Sequence, residues 1–188
     1  MSACLVLCLG AVAAAQAPWQ LELDAPLGLR SLASAAGDSA EIAPSGGFRG
    51  AVAWSFLGRD VQRSPSSWVL ALELAGRVAL PDQRGTTLVR LDTQQAWLAV
   101  GGRGGYRAQS RGFVLEPFWS ARLNGGARWR QIGVGDLEQQ ALQPLVGLGG
   151  GGGWIVGRER WRLRLDVGVD LDRRGLGFVS ELAMGWVL

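Results

Sequence analysis

Apolar and polar residues alternate strictly along much of this chain. In segment 161–171, Trp, Leu and Val fill the odd positions, and Arg, Asp and Gly fill the even positions. Successive side chains of a β-strand point to opposite faces, so this pattern predicts a strand with one apolar and one polar face. The same alternation recurs in segments 19–30, 48–56, 68–80 and 176–188. Less regular strands are predicted near 87–101, 113–130 and 141–157, which makes eight strands.

Short polar connections join the predicted strands. They are rich in Gly, Asp, Pro and Ser, as turns are. The predicted connections are 31–45, 59–66, 81–86, 101–111, 131–140, 157–160 and 172–175. Such connections leave no room for crossovers, so the strands are predicted to form an antiparallel up-and-down meander. We therefore predict an all-β fold, a closed barrel of about eight strands, and no transmembrane helix.

The sizes of the two faces indicate which one points inward. The interior of an eight-stranded barrel is just wide enough to be filled by side chains. The apolar face carries Trp, Leu, Phe and Val on nearly every strand, which is too much volume for that interior. The other face is mostly Ala, Gly, Ser and Val with occasional charges. The apolar face is therefore predicted to contact lipid, and the barrel to span a membrane, where closure satisfies every backbone polar group.

Tryptophans mark one rim of the predicted barrel. In an up-and-down chain, odd strands begin and even strands end at the same rim. Three tryptophans stand at strand starts, namely Trp19, Trp68 and Trp161. Four more stand near strand ends, namely Trp54, Trp97, Trp154 and Trp186. Because Trp favours the boundary between lipid and water, these residues predict an interfacial girdle. Both chain termini lie at this rim, so the girdle and the termini are predicted to be periplasmic.

The first 17 residues have the pattern of a secretory signal peptide. A largely apolar run from 5 to 15 ends at an A-x-A cleavage site at 15–17. Cys4 and Cys8 both lie in this segment, so a mature chain of 18–188 would have no thiol. The alternative for this segment is a buried N-terminal helix. We predict export of the chain and assign the barrel domain to residues 18–188.

Charged residues gather on the predicted inward face, eight of each sign. The predicted acidic members are Glu22, Asp24, Glu73, Asp92, Glu116, Asp166, Asp170 and Glu181. The predicted basic members are Arg30, Arg49, Arg77, Arg90, Arg122, Arg128, Arg162 and Arg164. Since buried ions must be paired, this balance favours a lumen plugged by Arg–carboxylate pairs. The alternative is a narrow polar conduit whose charge rings select ions.

The composition limits the chemistry that the chain can perform. Its basic residues are 19 scattered arginines without the clustered footprint of a nucleic-acid binder, so we predict no nucleic-acid partner. With no His and no mature Cys, a catalytic triad or a thiol–imidazole pair cannot form. We predict no enzymatic activity, no cofactor and no metal site. Gly147, Gly149 and Gly152 match G-x-G-x-x-G, but no helix follows to bind a phosphate.

At the level of architecture, residues 18–188 resemble the small eight-stranded outer-membrane barrels of the OmpA transmembrane-domain and OmpX type. Those families end in an alternating apolar strand that the assembly machinery reads. The matching residues are Leu176, Phe178, Leu182, Met184 and Trp186, and Leu188 replaces the usual terminal aromatic. The resemblance implies a bacterial outer-membrane location. It also implies outer-membrane lipid, lipopolysaccharide and the assembly machinery as partners.

Three functional hypotheses follow from these features. The first is a structural or interaction protein with a sealed lumen, in which the segment from Ser31 to Ser45 is the candidate partner-binding loop. The second is a narrow channel for ions or small solutes. The third is a soluble periplasmic lipocalin-like binding barrel with the two faces reversed. Arg173 and Arg174 are candidates for contacts with lipopolysaccharide phosphates.

Overall fold

The computed structural model describes residues 19–32, 41–59, 66–85, 89–134, 137–158, 160–172 and 175–188. These residues form eight antiparallel strands, each paired with the next along the chain. The strands are β1 (Trp19–Leu32), β2 (Glu41–Arg59), β3 (Ser66–Gly85), β4 (Val89–Ser110), β5 (Phe113–Val134), β6 (Leu137–Arg158), β7 (Trp161–Asp172) and β8 (Gly175–Val187). The predicted up-and-down topology with eight strands is confirmed.

Pairing between β1 and β8 closes the barrel. The register runs from Glu22 opposite Val187 to Arg30 opposite Val179. The Leu188 backbone N–H also donates to the Leu21 carbonyl over 2.9 Å. Closure removes the unpaired edges that an open sheet would expose, which is a requirement for β-structure in lipid.

Several predicted connections are in fact strand. Residues 101–110 continue β4, and the turn to β5 consists of Arg111 and Gly112, whose φ angles are 50° and 78°. A two-residue hairpin turn of this kind needs positive φ at both central positions, which Gly112 adopts without strain. The predicted connections 81–86 and 131–140 are also mostly strand, and 31–45 is strand at both ends. Of the Ser31–Ser45 loop, only residues 33–40 remain outside the strands, and they lie outside the described residues.

Proline is accommodated by local gaps in the ladder. The register between β1 and β2 stops at Asp24 opposite Arg49 and resumes at Leu27 opposite Gly46. Pro26 lies in this gap and remains opposite Ala183 on the other side. A proline has no N–H for the ladder, so one interrupted side is the expected cost of its presence in a strand. Pro117 lies in a similar gap between β4 and β5.

Part of the barrel wall extends beyond the rim opposite the termini. β3 to β6 have 20 to 22 residues, whereas β1, β7 and β8 have 12 to 14. Pairing between β6 and β7 begins only at Gly147 opposite Asp172, and residues 137–146 pair with β5. Segments 80–85, 89–96, 127–134 and 137–146 thus form a four-stranded projecting sheet.

The two faces of the barrel have opposite chemistry. Along β7, exposed Trp, Leu and Val alternate with buried Arg, Asp and Gly. Outward Leu72 and Leu123 are each 63% exposed, whereas inward Arg164 and Asp166 are buried. The described interior is charged and the described exterior is apolar, so the lipocalin-like alternative with reversed faces is wrong. No helix among the described residues is long and apolar enough to cross a bilayer.

At two outward-facing glycines, an aromatic ring from a neighbouring strand occupies the space that a side chain would fill. A Cβ atom on Gly104 would meet the Trp119 indole, and one on Gly76 would meet the Phe48 ring. Both rings therefore lie against backbone that carries no side chain. This contact covers the glycine and fixes the position of each aromatic on the outer surface.

Candidate functional site

Glu22 on β1 is the centre of the ion-pair cluster nearest the rim that carries the termini. Its two carboxylate oxygens accept hydrogen bonds from three arginines: Arg103 (2.7 Å), Arg107 (3.1 Å) and Arg162 (2.6 Å). The Gln20 side-chain oxygen accepts two further bonds, from Arg107 and Arg162. The Glu22 carboxylate therefore joins β1 to β4 and β7 through the lumen.

Arg103 links this cluster to the rest of the lumen. It is 1% exposed, and its guanidinium lies within 4 Å of three carboxylates. These are Glu22 at 2.7 Å, Glu116 at 3.4 Å and Glu73 at 3.5 Å. Glu116 is fully buried and also accepts a 2.7 Å bond from Arg107. Such buried pairs are stable only when every partner is present.

A second cluster lies further from the termini, around Glu181 on β8. Glu181 pairs with Arg49 at 2.9 Å and with Arg77 at 2.6 Å. Arg49 also lies 3.8 Å from both Asp24 and Asp166. The cluster therefore connects β1, β2, β3, β7 and β8 across the lumen.

Arg164 connects the two clusters. Its Nη1 donates to Glu73 over 2.6 Å and its Nη2 to Asp166 over 3.0 Å. Its guanidinium also lies over the Phe118 ring, with Cζ 4.3 Å from the ring centroid, while Arg103 lies 5.9 Å from the same centroid. Phe118 is buried inside the barrel, so it fills lumen space between the two arginines and makes cation–π contacts with them.

The part of the lumen furthest from the termini holds a further set of polar contacts. Arg122 donates to Asp170 over 3.1 and 3.2 Å, and the Asn124 amide donates to the same carboxylate oxygen over 3.1 Å. With its amide oriented so that the oxygen faces Arg128, Gln95 accepts a 2.7 Å bond from that guanidinium. Small cavities of about 10 Å³ each lie beside Asp170, beside Glu22 and beside Ser120. Each has room for about one water molecule.

Thirteen of the sixteen predicted lumen residues have described side chains, and twelve of them have an ion-pair partner inside the barrel. These twelve are Glu22, Asp24, Arg49, Glu73, Arg77, Glu116, Arg122, Arg162, Arg164, Asp166, Asp170 and Glu181. The thirteenth, Arg128, is buried inside the barrel as predicted. The side chains of Arg30, Arg90 and Asp92 lie outside the described residues. No group of three or more His, Cys, Asp or Glu in the described part of the chain has the arrangement of a metal site.

The sequence interpretation missed Arg103 and Arg107, two of the most connected residues of the lumen. It assigned 101–111 to a connection because this segment contains four glycines. A usable signal was present, since Arg103 and Arg107 keep the odd, inward phase of Gln95 and Ala99. The outward phase was obscured because Gly102 and Gly104 stand where other strands have large apolar residues.

Aromatic residues surround the rim that carries the termini. Six of the seven predicted girdle tryptophans are exposed on the outer surface, between 40% and 56%. They are Trp19, Trp54, Trp68, Trp154, Trp161 and Trp186. Trp19 lies opposite Trp54, and Trp161 lies opposite Trp186. The Trp68 and Tyr106 rings meet edge to face, with centroids 5.3 Å apart.

The girdle prediction is wrong for Trp97. This residue is 4% exposed and points into the lumen, in contact with Ala79. Because β4 continues to Ser110, Trp97 lies well inside the strand and in its inward phase. Gly126 on β5 lies directly opposite Trp97, and a Cβ atom there would meet the Ala96 carbonyl and the Cα and Cβ atoms of Trp97. Trp119, which is 60% exposed near the start of β5, lies on the outer surface near the terminal rim instead.

The fold and this lumen define a small, closed, eight-stranded barrel with an apolar exterior and an ion-paired interior. No protein-family profile matches the sequence, and no curated protein matches it. Among solved structures, the chain is similar to Ail, the attachment invasion locus protein of Yersinia pestis, with a TM-score of 0.54 and 13% identity. The alignment covers 90% of this chain and 97% of Ail.

Two further solved structures are similar. Ail in complex with the heparin analogue sucrose octasulfate gives a TM-score of 0.54 at 9% identity, with the same coverage. Neisserial surface protein A gives 0.45 at 13% identity, over 90% of this chain and 97% of that protein. At such identities the similarity to Ail establishes the fold, so the predicted architecture of the small outer-membrane barrels is confirmed.

Proposed function

We propose that this chain is an integral outer-membrane protein with a sealed lumen and a structural or interaction role. The apolar outer surface is the observation that carries the proposal. Exposed Leu, Val, Phe or Trp side chains face outward on all eight strands, for example Leu27 (70%), Leu98 (58%) and Leu182 (49%). Soluble monomers rarely expose contiguous apolar patches larger than a few hundred Å². A continuous apolar surface around a closed barrel fits lipid as its solvent.

The position of the aromatic girdle supports an orientation. Trp and Tyr prefer the lipid–water boundary, and these residues gather at the rim that carries both termini. We place this rim at the periplasmic boundary and the projecting sheet on the outer side. The proposed partners are outer-membrane lipid, lipopolysaccharide and, through β8, the assembly machinery. Arg173 and Arg174, the candidate lipopolysaccharide contacts, lie outside the described residues.

The projecting sheet supports an interaction role. Within the described chain, residues 137–146 of β6 pair with β5 and with no strand on their other edge. An edge of this kind accepts an extended segment of a partner as an additional strand. The name of the structurally similar Ail, an attachment invasion locus protein, agrees with such a role. The ion-paired lumen argues against a channel, because seven lumen carboxylates are each held by at least one arginine.

Fractionation of a Gram-negative host that expresses the full chain tests membrane insertion. We expect the protein in the outer-membrane fraction, with a mobility in SDS gels that changes when the sample is boiled. A soluble periplasmic protein with unchanged mobility would overturn the proposal. Planar-bilayer recordings of the purified protein test the seal. We expect no steady openings, and reproducible steps of constant conductance would favour the channel instead.

A further inference from the structure

One small cavity in the lumen is lined mainly by positive charge. About 10 Å³ is available there to the centre of a water-sized ligand. Its charged lining consists of three arginines, Arg49, Arg77 and Arg122, and a single carboxylate, Glu73. Ser120 on β5 adds a hydroxyl, and Ala75, Ala99 and Gly101 keep the space open because they are small.

The residues around this cavity carry buried donors without an acceptor. Among the described residues, no hydrogen-bond acceptor reaches Arg77 Nε, Arg77 Nη1 or Ser120 Oγ, and Arg49 Nη1 has only the Asp24 carboxylate at 3.8 Å, beyond hydrogen-bond distance. Arg49 and Arg77 are 3% and 4% exposed, and Ser120 is 8% exposed. Leaving a buried donor unpaired is costly, about 1–3 kcal/mol for a neutral group and more for a charged one. Arg77 has one acceptor, Glu181, so most of its five N–H groups need another.

The chemistry of these donors defines the ligand. A guanidinium has no acceptor atom, so whatever binds here must accept hydrogen bonds. Cations are excluded by the three arginines, and the cavity is too small for a polyatomic anion such as sulfate. Glu181 and Asp170, which pair with these arginines, do not line the cavity, and Glu73 is itself bonded to Arg164 at 2.6 Å. The arginines at the cavity wall therefore favour a negative ligand over neutral water. We propose that this cavity is a binding site for a single monatomic anion, chloride under physiological conditions.

The proposal concerns the interior of the barrel and does not depend on where the barrel resides. The same strands enclose the cavity in detergent and in lipid. Chloride would satisfy donors of β2, β3 and β5 at once, because Arg49, Arg77 and Ser120 come from these three strands. It would therefore act as a structural ligand that stabilises the closed barrel.

Bromide substitution tests the site directly on the unaltered protein. Crystals of the full barrel in detergent are grown with sodium bromide as the salt, and anomalous differences are measured at the bromine edge. We expect one anomalous peak inside the lumen, in contact with Arg77 and Ser120. Peaks at the protein surface only, or water density without anomalous signal in the cavity, would overturn the proposal.

Matched serine variants test the same site in solution. Urea unfolding of the detergent-folded barrel is followed in sodium chloride and in sodium gluconate at equal ionic strength. Chloride should lower the equilibrium constant for unfolding by the factor 1 + [Cl⁻]/Kd, the dependence expected for binding at a single site. Ser120→Ala should raise this Kd about fivefold, the effect of one lost hydrogen bond. Ser45→Ala, a buried lumen serine that contacts the Gly28 carbonyl, is the control and should leave Kd unchanged. Equal stability in both salts would refute the site.

Discussion

Replacing Leu72 by Arg tests whether the outer surface contacts lipid. Leu72 is 63% exposed and lies four residues beyond the girdle residue Trp68 on β3. With about 3.3 Å per residue and a strand tilt of about 40°, it lies roughly 10 Å along the barrel axis from the girdle. The apolar band of an outer-membrane barrel is about 25 Å tall, so Leu72 lies near its middle.

The expected cost distinguishes lipid from water. An arginine on the lipid face near the bilayer midplane costs about 2–4 kcal/mol, which lowers the folding constant about 30-fold to 700-fold. At a water-exposed position the same change would stay within about 0.5 kcal/mol. The measurement is urea unfolding of the barrel in phosphatidylcholine vesicles, followed by tryptophan fluorescence and by the gel mobility of unboiled samples.

Leu142→Arg provides a matched control. Leu142 is 67% exposed, but it lies twelve residues before Trp154 on β6. This separation is about 30 Å along the axis, beyond the apolar band. We expect this variant to lose about 1 kcal/mol or less. If Leu72→Arg and Leu142→Arg have equal effects, the outer surface does not contact lipid as argued.

Three further predictions concern the interior and the glycine contacts, each checked by unfolding in detergent. Arg103→Met leaves Glu22 and Glu116 with an arginine fewer and should cost about 3–5 kcal/mol; a loss below about 1 kcal/mol would contradict the central role of Arg103. Gly104→Ala should destabilise the barrel by about 1–3 kcal/mol, because the new methyl group meets Trp119, whereas Gly125→Ala should be tolerated because nothing lies within 4 Å. Trp97→Ala should cost about 3–5 kcal/mol and the exposed Trp129→Ala far less in detergent; similar losses would mean that Trp97 does not fill the lumen.

The sequence predicted a strand correctly wherever its inward-facing and outward-facing residues differed in chemistry. β7 is the clearest case, since every odd residue from Trp161 to Leu171 is apolar and none of the even ones is a large apolar residue. One closed barrel then follows, because short connections allow only neighbouring strands to pair. The inward charges were predicted for the same reason, as the phase of each regular strand assigns them to the lumen.

The sequence could not predict the long middle strands in full. Along β4, glycine replaces the large outward residues, because the Trp119 ring from β5 covers Gly104. The missing apolar residue is thus supplied by another strand, which a single-strand pattern does not record. The inward phase of Trp97 has a similar cause, since the β5 backbone approaches Trp97 closely at Gly126, which lies on the neighbouring strand.

The ion pairs of the lumen join residues that are far apart in the chain. Glu22 pairs with Arg162, 140 residues away, and Arg49 pairs with Glu181, 132 residues away. A barrel that lacked β7 and β8 would leave Arg49 and Arg77 without Glu181, and part of the Glu22 cluster without Arg162. Unpaired charges of this kind raise the free energy of every partly closed barrel, whereas an apolar interior would stabilise a partly collapsed one. Closure of this barrel should therefore be cooperative and slow, with the last strands completing both the wall and the charge balance inside it.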